Sequence, residues 1–141
     1  MGEARDIGAR LAKQAREWAA RSSTKWALIA GGETTVTVRG DGKGGRNQEL
    51  ALAAAIEFEA ISGVSLASLA TDGIDGVTQA AGALVDGQTA ILARQRGMSS
   101  QVALERNDSH ELLEATADLL WTGPTKTNVA DVVLVLGEAR A

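Results

Sequence analysis

The sequence contains no cysteine and one histidine, so it cannot form disulfides, a thiolate metal site or a zinc site built on histidines alone. Only 3% of its residues are aromatic, and the formal charge is −4 with no stripe of Lys and Arg. Both features argue against a nucleic-acid partner, which needs basic surfaces and stacking rings. No apolar run approaches the roughly 20 residues of a membrane span. We therefore expect a cytoplasmic protein that binds neither membrane nor nucleic acid.

Aliphatic side chains supply most of the apolar content. Hydrophobic residues make up 45% of the chain, so the core has to be built from Val, Leu, Ile and Ala on closely approaching helices and strands. A length of 141 residues allows one domain that buries roughly two-thirds of the surface of its unfolded form. We predict a single domain over residues 1 to 141.

The periodicity of apolar residues predicts the order of helices and strands. An amphipathic helix is predicted over about residues 3 to 22. Strands are predicted at KWALIAGG, TTVTV, VSLASLA and DVVLVLGEA, and helices at NQELALAAAIEFEAI, TAILARQRG, SQVALERN and DSHELLEATADLL. This alternation favours an α/β fold with three layers, α/β/α, around a mixed, mostly parallel sheet.

The loop GDGKGG, which begins at Gly40, fits the dinucleotide pattern G-x-G-x-x-G. A dinucleotide site also needs an acidic residue at the end of the next strand, about 20 residues later. That distance falls on Glu57 and Glu59, inside a predicted helix. The pattern G-x-x-x-x-G-K-[ST] is absent as well. Neither standard nucleotide motif is therefore present.

The same loop is suited to bind a smaller anion. Gly44 and Gly45 let backbone N–H groups approach a ligand, the helix from Asn47 offers its positive end, and Arg46 supplies a planar charged fork. A mobile loop with a solvated Lys43 and Arg46 explains the pattern equally well. Both interpretations stay open at this point.

Two carboxylates follow the predicted strand VSLASLA, in the turn TDGIDG. Asp72 and Asp75 lie at the carboxyl end of a buried strand, where α/β sheets place their ligands. They could hold Mg²⁺ together with substrate phosphates, or take a proton from a hydroxyl. The alternative is a tight turn rich in Asp and Gly.

Two further loops carry polar side chains. In RNDSHE, Asp108 and Glu111 have the spacing of a helix-capping pair, so we expect His110 to be no ligand. In TGPTKTNVAD, Thr125 and Asn128 present hydrogen-bonding groups beside the last predicted strand. That loop can cradle a polar ligand or satisfy its own backbone.

Taken in order, GGETTVTV, GKGGRNQE, TDGIDG with AAGALVDG, NDSH and TGPTKTNV resemble the C-terminal MOFRL domain of type II glycerate kinases, a family also called hydroxypyruvate reductases. The match spans about residues 3 to 136. The resemblance implies transfer of a phosphoryl group from ATP, with Mg²⁺, to D-glycerate, giving 2-phosphoglycerate. It further implies a cleft shared with a larger, Rossmann-like N-terminal domain that carries a catalytic lysine. The chain is then the C-terminal fragment of a two-domain kinase.

The resemblance also suggests roles for individual residues. Arg46 and Asp72 match the family's active-site Arg and Asp, and we assign Asp75 to the metal. The substrate-binding candidates are Gly44, Gly45, Asn47, Thr71, Asn107, Thr125 and Asn128. Two other functions stay open: an NAD(P)-linked reductase of hydroxypyruvate, and a stand-alone anion-binding module.

Overall fold

The computed structural model describes residues 2 to 139, which form five helices and a five-stranded sheet. Among these residues, no helix is both long and apolar enough to span a bilayer. In chain order the elements are α1 Ala4–Arg21, β1 Trp26–Gly32, α2 Arg46–Phe58, β2 Val64–Ala70, β3 Gly82–Asp86, α3 Thr89–Gln95, α4 Ser100–Glu105, α5 Ser109–Ala115, β4 Leu119–Leu120 and β5 Asp131–Gly137.

The sheet is antiparallel throughout, and our expectation of a mostly parallel sheet was wrong. Its strand order is β1-β5-β2-β3-β4, and each neighbouring pair is antiparallel. The α/β class itself is confirmed. The sequence order β1-α2-β2 does join two strands that point the same way, but β5 lies between them and runs against both. A strand inserted from the end of the chain leaves no trace in local alternation.

The helices cover one face of this sheet, so two layers replace the three that we expected. Side chains directly opposite in an antiparallel pair share a face. On the covered face Leu66 and Val135 are fully buried, whereas on the other face Ile29, Leu84 and Leu136 are exposed. No helix of the described chain packs on that open face.

Close packing of α1 on α2 forms the centre of the core. Gly8 of α1 lies against the backbone of Leu50, where a Cβ would collide with the Leu50 carbonyl. Helix α2 contains four alanines near its middle, and most of its residues are buried. Small side chains let the helices approach closely, which explains how a chain with so few aromatics builds a dense core.

Most predicted elements are confirmed, and three differ. The segment TTVTV forms no strand and contributes one isolated bridge, Thr35 with Glu3. The strand β3 was missed because GALVD is short and begins with glycine, whose missing side chain accommodates the Ser68 carbonyl of β2. The helix predicted to run through DSHELLEATADLL ends at Ala115, and Leu119 and Leu120 form β4 instead.

Candidate functional site

Arg46, the first residue of α2, holds its guanidinium against the carboxylate of Asp131, the first residue of β5. Its Nε donates to Oδ2 at 2.5 Å and its Nη2 donates to Oδ1 at 3.0 Å. This is the two-pronged geometry in which arginine binds carboxylates most strongly. The third nitrogen, Nη1, lies 3.2 Å from Oε1 of Glu33. Arg46 is thus held between two carboxylates.

The two carboxylates differ in burial. The side chain of Asp131 is 6% exposed, that of Glu33 is 60% exposed, and that of Arg46 itself is 33% exposed. Hydrogen bonding to Asp131 raises the pKa of Arg46, and partial burial acts in the opposite direction. Arg46 therefore stays cationic, with one part of its guanidinium reaching solvent.

The strand register brings these groups to one end of the sheet. Gly32 at the end of β1 and Ala70 at the end of β2 both pair with Asp131. Glu33 directly follows Gly32, and Asp72 lies two residues beyond Ala70. We call this group the strand-end site: Glu33, Arg46, Asp72 and Asp131.

Asp72 sits in a turn that is tightly held by its neighbours. Its Oδ1 accepts a hydrogen bond from the backbone N–H of Ile74 at 3.0 Å, and its carbonyl accepts one from Thr125 N at 3.0 Å. Gly73 has a φ of 89° and packs against the Gly123 carbonyl, where a Cβ would collide. The Asp72 carboxylate is half-buried, so a fixed backbone presents it close to solvent.

Three predicted substrate-binding residues form the frame beside Asp72. Thr71 Oγ1 donates to the Ala130 carbonyl at 2.7 Å and accepts from Val129 N at 2.9 Å. Thr125 Oγ1 donates to the Thr71 carbonyl, and Asn128 Oδ1 accepts from Ala130 N at 3.0 Å. These contacts fasten the loop before β5 onto the end of β2. Contact of any of the three with substrate stays a prediction.

Asp75 faces inward and caps helix α2. It is 1% exposed, and its Oδ1 accepts from Asn47 N at 3.1 Å and Asn47 Nδ2 at 3.2 Å. Its Oδ2 accepts from Gln48 N and Gln48 Nε2, both at 2.9 Å. The carboxylate thereby satisfies two N–H groups that a helix start otherwise leaves unpaired. The positive end of α2 is occupied by the protein's own anion.

A buried polar network extends from this cap. Gln48 Nε2 also donates to Thr78 Oγ1 at 2.9 Å, and Ser68 Oγ donates to Asn47 Oδ1 at 2.6 Å. We call this group the α2 cap network: Asn47, Gln48, Ser68, Asp75 and Thr78. All five side chains are buried, and the network fixes the helix start from which Arg46 projects.

This geometry does not support the metal role that we expected of Asp75. Its oxygens already accept four hydrogen bonds, whereas a magnesium ligand needs free lone pairs. Within residues 2 to 139 no cluster of three or more His, Asp or Glu side chains is arranged to hold a metal. Within the described residues, the contacts of Asp75 therefore give no support for a magnesium ion bound there, and its metal role stays a prediction.

The glycines of the loop before α2 pack closely against other parts of the protein. A Cβ at Gly44 would collide with Ser109, and one at Gly45 would collide with the Asp75 carboxyl group. Gly40 and Gly42 lie equally close to Arg106 and Asp108. The glycines let this loop lie directly on the turn between α4 and α5. Together with the capped helix, this packing argues against the anion site predicted from Gly44, Gly45 and Asn47.

Asn107, another predicted substrate-binding residue, holds this loop in place. Its Oδ1 accepts from Arg39 N at 2.7 Å and Gly40 N at 3.0 Å, and its Nδ2 donates to Glu49 Oε2 at 2.9 Å. It is 7% exposed and adopts a φ of 56°, a conformation that asparagine tolerates better than most residues. Its amide is thus used inside the protein.

His110 joins the buried polar groups, and the expectation that it is no ligand stays a prediction. Its Nδ1 lies 2.8 Å from Gln48 Oε1, and its ring stands edge-on to Trp121. Burial and the nearby charge of Lys43 lower the pKa of His110. The predicted capping role of Asp108 was wrong, because its Oδ1 accepts from Lys43 N at 2.9 Å instead of closing the start of α5.

Sequence reasoning missed two members of the strand-end site, Asp131 and Glu33. Asp131 is the last letter of TGPTKTNVAD and was assigned to the start of a strand. A single signal was available, because a charged residue at the buried end of a strand needs a partner of opposite charge. Together the four side chains offer a fixed cation for an anionic group and, in Asp72 at the same end of the sheet, a carboxylate that can accept a proton.

Comparison with known proteins finds a family model and several glycerate kinases that are similar to this chain. The sequence model of the MOFRL family matches residues 26–131 of this chain. The D-glycerate 2-kinase of Thermotoga maritima is 54% identical over 110 residues, which cover 78% of this chain and 26% of that protein. The glycerate 2-kinase of Pyrococcus horikoshii is 41% identical over 139 residues, covering 96% of this chain and 31% of that protein.

The solved structures agree with the sequence matches. The crystal structure of a glycerate kinase from Thermotoga maritima superposes with a TM-score of 0.92 at 48% identity, covering 96% of this chain and 34% of that one. The expected resemblance is thereby confirmed. The chain spans about a quarter to a third of the length of these relatives.

Proposed function

Since the chain belongs to the MOFRL family, we propose that it is the C-terminal domain of an ATP-dependent D-glycerate 2-kinase and contributes Arg46 and Asp72 to the active site. The observation that carries this proposal is the strand-end site, where Arg46 and Asp72 come from two different elements to the same end of the sheet. Relatives of about three times this length carry the name glycerate 2-kinase. Phosphoryl transfer depends mostly on positioning and charge stabilisation, which these residues can supply.

In this proposal Arg46 holds an anionic group, either the carboxylate of glycerate or the phosphoryl group in transfer. Its Nη1 is the guanidinium nitrogen that does not donate to Asp131. Asp72 orients the reacting hydroxyl of glycerate and accepts its proton, a role that needs a carboxylate fixed by its backbone. ATP with Mg²⁺ is the phosphoryl donor, and a second, larger domain with a catalytic lysine holds it.

Exposed apolar side chains support a second domain near the strand-end site. Ile74, Val77, Trp121 and Val129 are between 47% and 80% exposed, and all four lie in the loops that follow β2, follow β4 or precede β5. Exposed apolar residues that gather in one region mark interaction surfaces more often than isolated ones do. We infer that the larger domain covers these loops and closes the site from outside.

The test compares the chain alone with a two-domain chain in which it replaces the matching segment of the Thermotoga maritima enzyme. Both are assayed for ADP release with ATP, Mg²⁺ and D-glycerate. We expect no turnover by the chain alone and glycerate-dependent turnover by the two-domain chain. Turnover by the chain alone would overturn the two-domain proposal, and an inactive two-domain chain that folds would overturn the kinase assignment.

The reductase hypothesis finds no support in the geometry. The sheet is antiparallel, the glycine loop is packed, and Asp75 caps the helix start that a dinucleotide phosphate would need. We expect no quenching of nicotinamide fluorescence when the chain is added to NADH or NADPH. Saturable quenching would revive that hypothesis.

A further inference from the structure

Arg46 contacts two carboxylates, one buried and one exposed, and we propose that they have different roles. Asp131 is a positioning residue that fixes the guanidinium, whereas Glu33 occupies the place of the substrate's anionic group and is displaced when substrate binds. The proposal rests on the proposed function, because it concerns the same strand-end site. It adds two residues to that site and gives each a distinct effect.

The position of Asp131 makes its contact with Arg46 permanent. Its backbone lies between β1 and β2, paired with Gly32 on one side and Ala70 on the other. The carboxylate is 6% exposed and uses both oxygens on Arg46. A buried carboxylate that loses its cation is left without compensation, which strongly disfavours separation of the pair. The bond therefore sets the direction in which Nη1 points.

The position of Glu33 makes its contact replaceable. It follows the edge strand β1 and comes after Gly31 and Gly32, both of them exposed. Its side chain is 60% exposed, and a single contact of 3.2 Å joins it to Nη1. Exposed ion pairs contribute little because water screens them and the side chains lose freedom. A carboxylate or phosphoryl oxygen delivered by a bound substrate can take the same nitrogen.

The first test observes Arg46 directly in this chain, without any activity. In a ¹H–¹⁵N spectrum of the arginine Nε–H groups, the signals of Arg46 and of Arg5, whose Nε donates to Glu49 at 2.8 Å, should both be protected from exchange. The Arg46 signal is identified by its loss in Arg46→Lys. We expect Asp131→Asn to abolish that protection and Glu33→Gln to retain it. Glu49→Gln is the matched control: it removes the carboxylate, 3% exposed, of another arginine pair, Arg5 with Glu49, and should leave the Arg46 signal in place.

The second test is kinetic and uses the two-domain chain. Asp131→Asn should lower kcat/KM about tenfold or more, and most of that loss should vanish when Arg46 is already lysine, since a positioning residue acts only through its partner. Glu33→Gln should lower KM for glycerate about twofold to threefold with little change in kcat, because the competing carboxylate is gone. Thermal unfolding of each variant separates these effects from lost stability.

The outcomes separate this proposal from the proposed function. Asp131 has no positioning role if Asp131→Asn keeps the Arg46 signal protected, or if its kinetic loss is fully additive with that of Arg46→Lys. A raised KM in Glu33→Gln would overturn the displacement step. If the unsubstituted two-domain chain has no glycerate kinase activity, the proposed function fails, and the spectra alone still decide whether Asp131 fixes Arg46.

Discussion

The start of helix α2 separates two groups of polar side chains that differ in almost every physical respect. On its inner side, the α2 cap network is buried and its carboxylate, Asp75, accepts four hydrogen bonds. On its outer side, the strand-end site is partly open. Within the described residues, the Asp72 carboxylate accepts one hydrogen bond, from the backbone N–H of Ile74 in its own turn. Asp72 and Asp75 are three residues apart and look equivalent in the sequence.

The difference shows how burial separates carboxylates that stabilise the fold from carboxylates that can bind a ligand. A carboxylate whose oxygens are all used by internal donors stabilises the fold but has no capacity for a ligand. A carboxylate held by its backbone near solvent keeps that capacity. Arg46 links the two groups, because the network fixes its backbone while its side chain reaches the open side. We expect stability to depend on one group and activity on the other.

The largest effect is expected for Asp75→Ala. The substitution leaves four buried donors of Asn47 and Gln48 without an acceptor, which should lower the free energy of unfolding by on the order of 3 kcal/mol or more. Asp72→Ala, the matched control three residues away, should lower it by about 1 kcal/mol or less. Urea denaturation of both variants makes the comparison. Equal losses would remove the distinction between the two groups.

Asp72→Asn should have the largest effect on catalysis. Asparagine has a similar shape but cannot accept a proton, so kcat of the two-domain chain should fall on the order of 10²-fold, roughly 2.7 kcal/mol. Binding of glycerate should change little. Asp41→Asn is a suitable control, since Asp41 is an exposed carboxylate that pairs with Arg106 and belongs to neither group. A kcat within a fewfold of the unsubstituted protein would leave Asp72 as a turn residue.

A smaller loss is expected for Arg46→Lys. Lysine keeps the positive charge but not the planar fork that grips Asp131 and a substrate anion at once. We expect kcat/KM of the two-domain chain to fall about tenfold or more, roughly 1.4 kcal/mol. Circular dichroism and thermal unfolding check that the variant folds. An unchanged kcat/KM in a folded variant would make Arg46 a purely structural ion-pair partner.

The smallest effect concerns pH and His110, which contacts the α2 cap network. Burial lowers the pKa of His110 in the folded state, so the unfolded chain binds more protons just below pH 6.5, its usual pKa. Stability should therefore decrease as pH falls through that value. His110→Asn should flatten the dependence of unfolding free energy on pH between about 7 and 5. An unchanged slope would show that His110 titrates alike in both states.

Much of the fold followed from local patterns, and its sheet topology did not. Helix α1 and strands β1, β2 and β5 are clear in the apolar spacing, because each buries one side of a regular element. The position of β5 between β1 and β2 depends on contacts between residues 61 to 111 positions apart. No local pattern records such pairing, so the alternation of helices and strands suggested a parallel sheet.

The same limit applied to the site. The motifs identified Arg46 and Asp72, whose functional roles stay predictions, and a compact sequence pattern suggested a phosphate loop. Whether a glycine faces a ligand or a neighbouring turn depends on distant residues such as Ser109 and Asp75. The partner of Arg46 lies 85 positions away. Spacing within a motif therefore indicated candidate residues, but it did not predict the contacts that each of them makes.

The division between Asp72 and Asp75 is tested most directly by one measurement on the two-domain chain. Asp72→Asn and Asp75→Asn are compared for kcat across a Mg²⁺ titration at saturating glycerate, with each rate divided by the folded fraction. We expect Asp72→Asn to be slower at every Mg²⁺ concentration by on the order of 10²-fold, and Asp75→Asn to keep most of its rate with an unchanged Mg²⁺ requirement. A larger loss of kcat in Asp75→Asn at saturating Mg²⁺, or a raised Mg²⁺ requirement in that variant, would contradict the assignment of chemistry to the open carboxylate and of structure to the buried one.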